Sequence, residues 1–262
     1  MRILFVGDIF GRPGRRAASE CIPRLREEYE IDLCIANGEN AAGGAGITES
    51  IADRLQACGI DVLTSGNHVW DNKDVLEYLD KASRLLRPAN YPPDVGGIGA
   101  TVVPGRVPVG VLNLQGRVYM PNTDCPFRVA LRELEELRSQ TSVIIVDIHA
   151  EATSEKMALG WFLDGKVSAV IGTHTHVQTC DERVLPNGTA YITDVGMTGP
   201  HDSVIGVERD LAIRRFLTQL PVRVNPASGG VLLCGVVVDV DERSGKARRI
   251  ERLRIPACER DT

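Results

Sequence analysis

The chain has 262 residues, 43% of them hydrophobic, with 30 basic against 35 acidic side chains and a formal net charge of −5. Length and apolar content suit one large domain with a sizeable buried core, read here over residues 1–262. Mild acidity argues against a long nucleic-acid duplex as main partner, and no apolar run is long enough to span a bilayer. A small anionic substrate remains compatible, because bound cations would dominate the local field. The seven cysteines are scattered, with no C-x-x-C spacing. That pattern predicts reduced thiols, not a disulfide framework. With no leader pattern ahead of the first apolar run, the expectation is a soluble, cytoplasmic protein.

In chain order, Ile3 to Val6 is a short apolar run of the kind buried on both faces of a sheet. Gly11-Arg12-Pro13-Gly14 opens a helix, where a proline is tolerated because its missing N–H has no partner anyway. Ala17, Ala18, Cys21, Leu25 and Tyr29 continue at helical spacing, and Pro23 is expected to kink that helix. Leu33 to Ala36 is the second strand. Thr48 to Cys58 is a helix with Thr48 as its cap. Asp61 to Thr64 is the third strand and Asn72 to Leu79 the next helix. Lys81 to Gly99, rich in Pro and Gly, is a loop. Thr101 to Leu114 reads as two hairpin strands, and Phe127 to Leu137 as a helix with Leu131 and Leu134 on one face. Val143 to Ile148 and Ala169 to Ile171 are buried strands flanking a helix over Ser154 to Leu163. Arg183 to Thr193 is a hairpin turning at Asn187-Gly188. Val231 to Asp239 and Ala247 to Ile255 close the chain as an antiparallel pair. Arg248 to Arg254, alternating basic and apolar, is expected on the outer face of an edge strand.

Early βαβ alternation followed by hairpins predicts mixed or packed sheets with helices outside. Ligands in such folds sit beyond the carboxyl ends of the strands. Those ends carry Gly7-Asp8, Gly38-Glu39-Asn40, Gly66-Asn67-His68, Asp147-Ile148-His149-Ala150-Glu151 and Gly172-Thr173-His174-Thr175-His176. Taken singly, each has an ordinary role: Gly7-Asp8 as a turn, His149 as a hydrogen-bonded core histidine. His174 and His176 are more pointed, since alternate strand residues face the same way. Together, imidazoles, carboxylates and amides at one sheet edge predict a mixed nitrogen and oxygen metal site suited to manganese, iron or zinc.

The order Gly-Asp, acidic residue, Gly-Asn-His, later His, then Gly-x-His-x-His resembles the calcineurin-like metallophosphoesterase superfamily, and more closely its YmdB-like branch. The resemblance extends from Gly7-Asp8-Ile9 through Asn37-Gly38-Glu39-Asn40-Ala41-Ala42-Gly43-Gly44 to Asp194-Val195-Gly196-Met197-Thr198-Gly199. It implies an α/β/β/α sandwich of two mixed sheets flanked by helices and holding two metal ions. It also implies activity on small phosphodiesters, with 2′,3′-cyclic nucleotides the leading class, and a homo-oligomer as a modest expectation. Two positions depart from the wider superfamily. Phe10 stands where the first motif usually has a histidine, and Glu39 replaces a bridging Asp, with Asn40 taking the place of the missing imidazole. Exchanging nitrogen for oxygen hardens the first site and tilts it toward manganese or iron.

The resemblance assigns Asp8, Asn40 and His176 to one metal and Asn67, His149 and His174 to the other, with Glu39 bridging. A hydroxide between metals roughly 3.5–4 Å apart would attack phosphorus in line. His68, next to a ligand, is the expected general acid for the departing sugar alkoxide. Asp71 is more naturally a helix cap than its orienting partner. Arg12 and His201 are the candidate substrate contacts, although a solvated basic face is the ordinary reading of Arg12. The loop Gly199 to Ser203 is a candidate pocket cover. Alternatives on the same core are a phosphomonoesterase, a nuclease for short RNA, and a non-catalytic nucleotide sensor.

Overall fold

The computed structural model describes residues 1–223 and 225–257. Strand β1 (Arg2–Val6) and the short β2 (Asp8–Ile9) lead into helix α1 (Gly11–Glu28), then β3 (Leu33–Asn37), α2 (Glu49–Ala57) and β4 (Val62–Thr64). A 3₁₀ turn over Asn67–Trp70 precedes α3 (Asp74–Leu79). Strands β5 (Ala100–Val103) and β6 (Val109–Gln115) follow, then α4 (Pro126–Gln140), β7 (Val143–His149), α5 (Thr153–Leu163) and β8 (Ala169–Thr173). The chain continues through β9 (Arg183–Val184), β10 (Ala190–Ile192), β11 (Met197–Pro200) and α6 (Arg209–Thr218) to β12 (Val231–Val240) and β13 (Ala247–Pro256).

These strands form two mixed sheets. One runs β2-β11-β12-β1-β3-β4, with β13 paired to β12; the other runs β5-β6-β7-β8-β10-β9. Alternation along each strand sorts the core into three layers. Leu4 and Val6 of β1 pack with Ala18, Ile22 and Leu25 of α1. Ile3 and Phe5, on the other face, meet Val111, Ile145 and Ile171 between the sheets. Leu112, Val146 and Val170 pack outward against Leu134 of α4 and Leu159 of α5. The sequence of layers is helix, sheet, sheet, helix, as the resemblance implies.

Several local expectations change. Helix α1 continues through Pro23 to Glu28; the proline ring is exposed, where water can take the carbonyl it leaves free. Thr48 holds the N-cap position of α2 without a side-chain cap bond. Leu131 is 41% exposed whereas Leu134 is 2% exposed. The buried stripe of α4 follows Ala130, Leu134 and Leu137, and Leu131 lies one helical step around from it. Helix α6 lies outside the sequence expectations; only Ala212 of it is buried, so it carries little amphipathic signal. Among the described residues, Cys34, Cys58, Cys125, Cys180 and Cys234 are free thiols. No described helix is long and apolar enough to cross a membrane.

Candidate metal centre

The parallel strands β1, β3 and β4 of one sheet and β6, β7 and β8 of the other deliver their carboxyl ends to a common edge. Asp8 lies just beyond β1, Glu39 and Asn40 just beyond β3, and Asn67 and His68 in the turn after β4. His149 ends β7, and His174 and His176 follow β8. Asp8, Glu39 and His149 are fully buried.

Six of the seven candidate ligands contact one another there, and Asn67 stands in the adjoining turn. The carboxylate of Glu39 touches Nε2 of His149, and Nδ1 of His174 lies 3.0 Å from the same nitrogen. Donor atoms of Glu39, His149 and His174 all fall within 4.8 Å of one another. Nε2 of His176 lies 3.8 Å from Oδ1 of Asp8 and 3.1 Å from Nδ2 of Asn40. The two clusters are joined where the His174 amide donates to Oδ2 of Asp8 at 3.2 Å. Asn40 presents its NH₂ to His176, so its amide must turn to offer oxygen to a cation. Gly66 is required beside this cluster, because a Cβ there would strike the His149 ring and the Glu39 carboxylate.

Do these residues fit metal ions? Oδ1 of Asp8, Oε2 of Glu39 and Oδ1 of Asn67 are buried with no hydrogen-bond partner among the described residues. Orphaned buried oxygens are costly and rare in folded proteins. Finding three on expected ligands fits a site built to hold cations. Charge states agree. Burial pushes the Asp8 carboxyl up to about 7, opposed by His149 and reinforced by Asp194 and Glu39. Burial also raises Glu39, opposed by the amide and ring of His68. His149 is driven down to about 3, chiefly by burial. His174 falls to about 3 through burial and then His149, and burial lowers His176. Burial therefore favours neutral imidazoles, the form that binds metal, and disfavours ionised carboxylates where no cation is near.

Surrounding contacts fix which nitrogen faces inward. Thr173 Oγ1 donates to Asp147 Oδ1 at 2.7 Å, leaving its lone pairs for Nδ1–H of His149 at 2.9 Å. Nε2 of His149 is then the free donor atom. Nδ1 of His176 donates to the Ile205 carbonyl at 2.9 Å, again freeing Nε2. For His174 the roles reverse: Nε2 lies 3.2 Å from Oε2 of Glu151, and Nδ1 turns inward. Such outer partners orient metal-binding histidines. Asp147 is itself braced by Thr64 at 2.5 Å and Asn37 at 3.0 Å. Asp147 and Glu151 belong to a segment whose sequence points to the site, yet sequence reasoning gives neither a role. Contacts between sheets cannot be read from spacing along one chain.

The expectation that His174 and His176 project from a strand is corrected. β8 ends at Thr173, and the histidines have φ of +100° and +65°, with Ile205 at +48°. Left-handed backbone at non-glycine residues is strained and persists only where surroundings enforce it. Asp194 supplies part of that enforcement. Its Oδ2 accepts from the Thr175 amide at 3.1 Å, the Thr175 hydroxyl at 2.8 Å and Lys156 Nζ at 2.7 Å. Lys156 is fully buried and Asp194 1% exposed. A Lys156→Met variant should therefore lose about 3–5 kcal/mol of stability by chemical denaturation, because it strands a buried carboxylate. A loss under about 1 kcal/mol would mean the pair does not hold this loop.

Remaining candidates fall at different distances from the centre. Nδ1 of His68 pairs with Oδ2 of Asp71 at 2.7 Å, and its amide donates to Glu39 Oε1 at 2.5 Å. Asp71 is thus the partner of His68 and not the cap of α3, whose N-cap position is Lys73. Phe10 packs edge-on against His176 with ring centres 5.5 Å apart, so the position that lost an imidazole now buttresses one. Arg12 is exposed, as the solvated reading had it. Arg15, one turn on, donates to the Ala41 carbonyl beside Asn40. Nε2 of His201 contacts the Met197 carbonyl at 3.0 Å.

Comparison with known proteins follows the same lines. The family described as YmdB-like protein matches residues 4–253. The chain is 51% identical over 256 residues to the 2′,3′-cyclic-nucleotide 2′-phosphodiesterase of Bacillus subtilis, covering 97% of each. It superposes on a hypothetical protein of Thermus thermophilus with a TM-score of 0.92 and 41% identity, covering 98% of this chain and 100% of that one. A novel phosphatase of Mycoplasma pneumoniae gives a TM-score of 0.91 at 34% identity, covering 98% and 93% respectively.

Proposed function

Because this chain belongs to the YmdB-like protein family, we propose that it opens 2′,3′-cyclic nucleotides at a two-metal centre, with His68 as proton donor. It is a metal-dependent phosphoric diester hydrolase. The observation that carries the metal assignment is the set of orphaned buried oxygens on Asp8, Glu39 and Asn67, set among imidazoles that burial holds neutral.

In this assignment Asp8, Asn40 and His176 would hold one ion, Asn67, His149 and His174 the other, and Glu39 would serve both. The oxygen-rich donor set favours iron or manganese, with zinc the third choice. Bound there, the ions would supply an activated water and polarise the phosphoryl oxygens. The chain's own residues do the rest. Glu39 turns one oxygen to His149 and has the other tied to the His68 amide. Asp147, Glu151 and the Ile205 carbonyl keep the imidazoles aimed inward. His68, when protonated, gives Nδ1–H to Asp71 and keeps Nε2–H to protonate the departing ribose oxygen, a poor leaving group as an alkoxide. The cyclic-nucleotide preference is supported by the activity of the Bacillus subtilis relative.

The test is turnover of 2′,3′-cAMP beside p-nitrophenyl phosphate and a short RNA, using metal-reconstituted protein. Opening of the cyclic diester with little monoester cleavage is the expected result. Faster release of p-nitrophenol than of nucleotide would make the protein a phosphomonoesterase. Binding without turnover of any of the three would make it a sensor.

A further inference from the structure

A pocket of about 270 Å³ adjoins the centre, and the His176 ring forms its shared wall. His176 turns Nε2 toward Asp8 and Nδ1 toward Ile205, whose residue also lines the pocket. Arg252 and Arg254 of β13 also line it, together with Gln178 and His201. The two arginines are alternate residues of one strand and so project to the same side.

The chemistry of this lining is uneven in an informative way. Arg252 is partly engaged, its Nε lying 3.2 Å from Oε1 of Glu182. Arg254 is exposed and makes no ion pair among the described residues. Gln178 donates through Nε2 to the Val195 and Leu253 carbonyls at 3.1 and 2.9 Å. That fixes its amide and leaves Oε1 buried without a donor. The exposed Val177 and Ile205 add apolar surface beside it, at 60% and 55% exposure. A guanidinium fork suits a phosphate, and apolar edges suit a base or sugar face.

We propose that this pocket receives a second phosphate on the 5′ side of the substrate. The preferred substrate class is then a 2′,3′-cyclic phosphate that also carries a 5′-phosphate, as at the end of a short ribonucleotide chain. This rests on the cyclic-phosphodiesterase reading above. Arg254, helped by Arg252, binds the distal phosphate, and the exposed Val177 and Ile205 flank the attached nucleoside. The reaction that supplies such a substrate is an RNA cleavage in which the 2′-hydroxyl attacks its own phosphodiester and leaves a cyclic end.

Two measurements separate this proposal from its premise. The first compares kcat/KM for 2′,3′-cAMP and for its 5′-phosphorylated form. Wild-type protein should favour the phosphorylated substrate by about tenfold or more, the size of one charge-assisted contact. In R252Q/R254Q that ratio should fall toward one, and R254K should lie between, since it keeps charge but not the fork. A wild-type ratio of one, or an unchanged ratio in the double variant, overturns the pocket assignment. The second is calorimetric binding of AMP and of adenosine to metal-loaded protein, which reads the pocket even if neither substrate turns over. AMP should bind more tightly than adenosine, and the double variant should lose that difference. Equal binding in wild-type protein overturns the proposal, whereas absent turnover with intact AMP binding overturns only the catalytic premise.

Discussion

A Glu39→Gln variant should lose bound metal and phosphodiesterase activity together, with turnover down by on the order of 10³-fold or more. That factor corresponds to about 4 kcal/mol of transition-state stabilisation, the scale expected when a metal centre is dismantled. Glu39 is fully buried, with one oxygen taking the His68 amide and the other orphaned against His149. Glutamine keeps the shape and can still accept from His68. It replaces the anionic oxygen by a neutral amide at the carboxylate that touches His149 and is assigned to both ions. Folding should survive, because burial already disfavours the charge of Glu39 and its removal relieves that cost in metal-free protein. Unchanged circular dichroism with depleted metal is the expected pair of observations. Full metal occupancy in this variant would remove Glu39 from the bridging role.

A His68→Ala variant should separate chemistry from binding. The side chain is 42% exposed and pairs with Asp71, so its removal leaves no buried cavity and no orphaned partner deep in the core. Metal content and substrate affinity should persist, while turnover of a cyclic ribose phosphate falls by about 10²–10⁴-fold, the usual worth of a positioned acid. A substrate with a good leaving group, such as bis(p-nitrophenyl) phosphate, should lose much less, since a nitrophenolate departs without a proton. Equal losses on both substrates would show that His68 serves the site by position and not as an acid. Undiminished turnover of the cyclic substrate would remove it from the mechanism.

Much of this molecule is legible in its sequence because its strands are short, continuously apolar and buried on both faces. Ile3 to Val6, Leu33 to Ala36 and Val143 to Ile148 declare themselves that way, and polar residues at their ends stand out by contrast. What the sequence hides depends on contacts between distant segments. Glu151 orients His174 from beyond α5 and β8, and Asp194 ties Thr175 to Lys156 from 19 and 38 residues away. The pair His174 and His176 stands out in the sequence for a reason that does not hold. The rings converge through two left-handed residues beyond the strand, not through strand alternation. Asp71 illustrates the same limit, since its place in the sequence favours a helix cap, whereas in the fold it pairs with His68. Only the 3₁₀ turn of Asn67–Trp70 decides between them. The resemblance to metallophosphoesterases supplies the division of ligands between two ions, which no spacing could give.

The central claim is that this centre works with two metal ions held by Asp8, Glu39, Asn40, Asn67, His149, His174 and His176. Its most direct test is a titration of chelated protein with manganese or ferrous iron, following 2′,3′-cAMP opening and bound metal on the same samples. Activity should be absent without metal and should rise to a plateau as two ions bind per chain. Full turnover in chelated protein, or saturation with a single ion, would contradict the account.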